Sequence, residues 1–171
     1  MRMNKLALSL VGLALMIVLI TPIAVAFLES TPGKVTGGGQ IPLDPEQTTL
    51  PGGSFGFNVR YYPNKMDAPK GELEYVDHNT GMKAHAHNMT GLEVFGPPDK
   101  NVVPWTANFE GWCKVNGTEG YFIWVHVEDW GEPGTNDVFH IIIWQGNSGG
   151  PKIYEAEGWP ILVGNIQVHK K

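Results

Sequence analysis

Between Ser54 and His169 apolar residues recur at every second position in short runs, and Gly, Pro, Asn or Asp punctuates the gaps between runs. A period of two sends alternate side chains to opposite faces of a strand. After residue 26, no stretch sustains the 3.6-residue apolar period of an amphipathic helix. Tyr121–Glu128 is the clearest strand: Tyr121, Ile123, Val125 and Val127 point one way, and Phe122, Trp124, His126 and Glu128 the other. Phe55–Tyr62 alternates in the same way. Further strands are expected over 70–77, 82–88, 90–95, 105–115, 138–145, 153–155 and 161–169, and Asn116-Gly117 is a preferred two-residue hairpin turn. The 22 Gly and 13 Pro of the 171 residues suit tight turns. The pattern predicts an all-β fold, a single β-sandwich or partly closed barrel of short antiparallel strands over residues 54–171. Both faces of 121–128 carry large apolar groups, so its second face is expected to be covered or to serve as an interaction surface.

The N-terminus has a different character. Arg2 and Lys5 precede an almost continuous apolar run, Leu6–Ile23, followed by Ala24-Val25-Ala26. A basic start, an apolar centre and small residues at the end make residues 1–26 a secretory signal peptide. The alternative is an uncleaved membrane anchor, since the run approaches the ~20 residues that span a bilayer. Residues 27–53 read as an exposed leader, with an edge strand expected over 34–41, around Gly37-Gly38-Gly39.

The formal net charge is −5, and removing residues 1–26 takes away Arg2 and Lys5 but no acid, leaving −7. This argues against nucleic acid as a partner. The single cysteine, Cys113, permits no intrachain disulfide and no Cys-based zinc site, and lies in an expected strand as a small buried hydrophobe.

Gly146-Asn147-Ser148-Gly149-Gly150-Pro151 matches the nucleophile motif of trypsin-like serine proteases. That chemistry requires an upstream His base and an orienting Asp. No His stands about a hundred residues before Ser148, and only Lys152–Lys171 follow it. The hexapeptide is therefore read as a Gly-rich hairpin loop, and the chain as a non-enzyme with no catalytic residues.

Two residue groups could hold a metal. Asp129, Glu132 and Asp137 lie in one turn-rich loop, which could bind Ca²⁺ or be a plain turn whose carboxylates accept backbone N–H groups. His85 and His87 share one face of a strand, and His126 and His140 lie on neighbouring strands; converging, they could bind Zn²⁺ or Cu²⁺, and otherwise they are ordinary hydrogen-bonded surface histidines.

Several blocks, taken together, resemble the post-COAP family of exported prokaryotic domains. They are Val35–Ile41, Phe55–Arg60, Pro69–His78, Phe109–Gly117, Val127–Asp137 and Gly164–His169, in that order. The resemblance implies a β-rich module of exported bacterial and archaeal proteins, and carries no catalytic residues with it. The stretch Tyr154–Val163 departs from the family's short Gly-rich block by including Trp159 and Pro160.

The sequence thus leads to a secreted or cell-surface, non-enzymatic β-domain with a structural or binding role. It could self-associate through the edge strand at 34–41, as a homo-oligomer or cell-surface component, and would meet a membrane only through an uncleaved N-terminal segment. The alternative is a carbohydrate- or surface-binding module using Trp105, Trp124, Trp130, Trp144 or Trp159.

Overall fold

The computed structural model describes residues 33–42, 50–62, 65–99 and 101–169. The expected signal peptide, and most of the leader outside 34–42 and 50–53, lie outside the described residues. Nine antiparallel strands form one sheet, with no helix among the described residues: β1 (Lys34–Pro42), β2 (Pro51–Tyr62), β3 (Lys65–Asp77), β4 (Lys83–Phe95), β5 (Trp105–Val115), β6 (Thr118–Asp129), β7 (Val138–Gln145), β8 (Lys152–Gly158) and β9 (Val163–His169). The all-β expectation holds, in the form of a partly closed barrel.

The strand order is β8-β7-β6-β5-β4-β3-β2-β1-β9. From β1 to β8 each strand pairs with the next in the chain; β9 returns to pair with β1 instead of β8. This forces the sheet to curl. Residues 159–162 join β8 to β9, and four residues reach at most about 14 Å. Laid flat, nine strands would hold those two edges about 38 Å apart at roughly 4.8 Å per step.

The concave face is the core. Phe139 lies between Phe55 and Tyr75, with ring centroids 4.0 and 6.1 Å away, and Phe57 lies 5.1 Å from Phe109. Leu73, Ile123, Val125, Ile141 and Ile143 are fully buried around them. Each such side chain contributes about 1.5–3 kcal/mol on burial. Cys113 is buried here as expected, and burial, with the nearby Glu119 charge, pushes its thiol up to about 12. The Asn116-Gly117 hairpin takes the expected left-handed pair, φ 50° and 82°. The two strands expected over 82–88 and 90–95 form one, β4, with bulges between Ala86 and Asn88 and between Met89 and Gly91.

One expectation is overturned. The segment 34–41 is not an edge strand: β1 pairs with β2 on one side and β9 on the other. At Gly37 and Gly39 neighbours fill the space a side chain would need. A Cβ on Gly37 would stand 2.6 Å from the Phe57 ring and 3.0 Å from Ile166. The edges of the sheet are β8 and β9, and residues 34–42 and 51–53, read from sequence as leader, belong to the sheet.

Candidate functional site

The convex face of β5–β8 carries the chemistry. Pairing across these strands aligns three rows of outward residues. Trp112, Phe122, Trp144 and Lys152 form one; Glu110, Trp124, Ile142 and Glu155 the next; Asn108, His126, His140 and Glu157 the third. Aromatic rings therefore gather on a surface that the core does not use. Trp112 is exposed and meets Phe122 edge-on, with centroids 5.3 Å apart. Trp124 stacks on His126 and meets His140 edge-on, at 5.9 and 5.7 Å. Next to Trp124 lies a shallow cavity of about 160 Å³, lined also by Gly91, Glu93, Asn108 and Glu110. The β4 bulges bring Gly91 and Glu93 to this wall, and a Cβ on Gly91 would press on the Glu110 side chain at 2.9 Å.

The imidazoles here are fixed. His126 Nδ1 lies 2.8 Å from Asn108 Oδ1 and its Nε2 3.3 Å from Glu128 Oε1; His140 Nε2 lies 3.0 Å from Glu155 Oε1. The two rings face each other across β6 and β7, as a metal site would need, but each is turned to its own carboxylate or amide partner. His85 and His87 stack on each other on β4, 5.3 Å apart, and His85 pairs with Glu74. With β5 between the two pairs, the four histidines do not converge.

Asp129, Glu132 and Asp137 do come together, and they grip β9. Asp137 is fully buried; its Oδ1 accepts the N–H of Trp130 at 2.9 Å and its Oδ2 that of Ile166 at 2.7 Å. Asp129 accepts the N–H of Gly131 at 2.9 Å and that of Val168 at 3.0 Å. Glu132 accepts the side-chain amides of Asn165 and Gln167, at 3.0 and 3.1 Å. The outer edge of β9 thus meets carboxylates where a further strand would lie. Burial, reinforced by the neighbouring Asp129 and Glu132 charges, raises the Asp137 carboxyl above its ordinary range despite the two N–H bonds. Among the described residues no group of three or more His, Cys, Asp or Glu is arranged to hold a metal ion. This was the plain-turn alternative, extended to a distant strand that local sequence could not reveal.

Ser148 sits in the exposed β7–β8 turn, closed by the N–H of Gly150 bonding to the carbonyl of Asn147 at 2.9 Å. Among the described residues His78, His85, His126, His140 and His169 bond to Ser54, Glu74, Asn108, Glu155 and Thr36, and His87 stacks on His85. Of the tryptophans singled out from sequence, Trp105 is buried, Trp124 and Trp144 lie half-buried on the convex face, and Trp130 and Trp159 are exposed at loops. Sequence reasoning missed Trp112, whose strand reads as core until its partners Phe122 and Trp144 are known.

Comparisons with family models, curated proteins and solved structures return no match. The resemblance to the post-COAP family stands on the quoted sequence blocks alone.

Proposed function

We propose that this chain is an exported, non-enzymatic binding module that holds a carbohydrate chain on the convex face of β5–β7. The observation that carries the reading is the aromatic surface of Trp112, Trp124 and Trp144, packed around the buried Phe122 and bordered at the Trp124 cavity by Glu93, Asn108 and Glu110. A sugar ring offers an apolar C–H face and a rim of hydroxyls. Indole rings stack on the first, and carboxylate and amide oxygens accept hydrogen bonds from the second. A purely apolar protein interface would not need the polar cluster beside Trp124. The export signal expected at residues 1–26 accords with an extracellular ligand.

The test is a panel of soluble and insoluble polysaccharides, followed by tryptophan fluorescence and pull-down. The expected result is binding to at least one, weakened tenfold or more by Trp124→Ala, equivalent to about 1.4 kcal/mol. Trp159→Ala, which changes an exposed ring on the β8–β9 connection, leaves affinity unchanged. Failure of the whole panel, or sensitivity to Trp159 in place of Trp124, would refute the reading.

A further inference from the structure

On the β8 side, the seam of the barrel stays open. A cavity of about 440 Å³ lies between β8 and the corner made by β1, β2 and β3, a volume in the range of small-ligand sites. Tyr75, Tyr154, Asp77, Asn79, Ile41 and Glu157 line it, and none of its described lining residues is Lys, Arg or His.

Two features give it a chemical character. The first is a pair of phenols. The Tyr75 and Tyr154 hydroxyls are 2.8 Å apart, with ring centroids at 5.7 Å and planes inclined by 51°. Burial pushes Tyr75 up to about 12 and Tyr154 higher still, so both stay neutral; Tyr75 is fully buried behind the cavity wall, and the half-buried Tyr154 presents its ring and hydroxyl to the cavity. The second is Asp77, which is only 6% exposed. Its carboxylate accepts from neutral donors: the N–H of Asn79 at 2.7 Å, the N–H and hydroxyl of Thr80 at 3.2 and 2.9 Å, and the hydroxyl of Tyr154. Among the described residues it forms no ion pair. A buried carboxylate with no counter-charge, beside aromatic rings and an open cavity, favours a cation there.

We infer that this cavity binds an alkylammonium or guanidinium group, held by the Tyr154 phenol, which Tyr75 fixes from behind, and by the Asp77 carboxylate. Such a group donates N–H bonds to Asp77 and to the Tyr154 oxygen and lays its charge against the Tyr154 ring. The group can belong to a free amine or to a Lys or Arg side chain of a peptide. The site lies at the β8 edge of the sheet, shares no lining residue with the Trp124 cavity, and does not depend on the proposed carbohydrate face.

The experiment titrates the purified full chain with putrescine, N-acetyl-lysine methylamide, N-acetyl-arginine methylamide and the neutral N-acetyl-norleucine methylamide, observing NMR shifts at Tyr75, Asp77 and Tyr154. Saturable shifts are expected from the cations, with the neutral compound at least tenfold weaker. Tyr154→Leu weakens cation binding at least tenfold while the chain still melts cooperatively; should that variant not fold, Asp77→Asn takes its place. Putrescine matching the lysine derivative identifies a free amine as ligand, and a tenfold preference for the lysine derivative identifies a peptide side chain. The inference is overturned if no cation gives saturable shifts, if the neutral compound binds equally well, or if the folded variant binds as tightly as the parent.

Discussion

Asp137 is where the closure of the barrel can be broken with one substitution. Asp137→Ala removes the acceptor of a buried donor, the N–H of Ile166 at 2.7 Å, and of a part-buried one, the N–H of Trp130 at 2.9 Å. An unsatisfied buried donor costs about 1–3 kcal/mol, and a partly solvated one less. The loss is therefore about 2–4 kcal/mol, a large share of the roughly 5–15 kcal/mol that holds a domain folded. At about 2–4 °C per kcal/mol, the melting temperature falls by about 5–15 °C. Denaturant unfolding gives the energy, and amide hydrogen exchange gives the place. The Ile166 amide is expected to lose far more protection than Val168, whose N–H still has Asp129 at 3.0 Å. A loss below about 1 kcal/mol, with exchange at Ile166 unchanged, would show that the carboxylate does not hold β9.

Two further outcomes follow from the same packing. Asp77 and Asp137 are perturbed in opposite directions, so they oppose each other in the pH dependence of stability. For Asp77 burial pulls upward, but the Asn79, Thr80 and Tyr154 hydrogen bonds outweigh it and lower the carboxyl; its contribution is present above the ordinary carboxylate range and lost as pH falls through the lowered value. Asp137 is raised, so its contribution is present in acid and lost as pH rises through the raised value. Melting curves from about pH 2 to 7 should show Asp77→Asn flattening the acid-side loss, and Asp137→Asn removing a component that declines with rising pH; the same change of slope in both would contradict the assignment. Gly37→Ala should cost about 1–3 kcal/mol by overpacking Phe57 and Ile166, whereas Gly56→Ala, with nothing within 4 Å of its new Cβ, should be close to neutral in chemical denaturation. Equal effects would mean that the β1 glycines are not there for packing.

What could be read from sequence depended on how far away the deciding partner lies. The strand at 121–128 was legible because its period of two is internal to it, and the turn at Asn116-Gly117 because its geometry requires only those two residues. The position of β1 was not. Three glycines in a row have the look of a weakly packed edge, yet Gly37 and Gly39 mark close packing, and the atoms that fill their space belong to Phe57, Phe55 and a strand near the C-terminus. The carboxylate loop shows the same limit. Three acidic residues in nine suggest a cation site when only the loop is visible, and the N–H groups they accept from, at Ile166 and Val168, are 29 and 39 residues away. The convex aromatic face was half legible: alternation places Trp124 outward, but only the register of three strands sets Trp112, Phe122 and Trp144 side by side.

The two edges of the sheet are protected by different means, and this bears on association. On β9 the carboxylates of Asp129 and Asp137 accept backbone N–H groups, so an added strand would have to displace charge-assisted hydrogen bonds. On β8 the strand is seven residues long and carries Lys152, Glu155 and Glu157, and short charged edges discourage strand pairing. Closing the barrel by a direct β8–β9 ladder would remove both edges, but it would also require the seam to shut over Tyr75, Tyr154 and Asp77. The fold instead meets the hydrogen-bonding needs of one edge with side chains and leaves the other beside an open cavity.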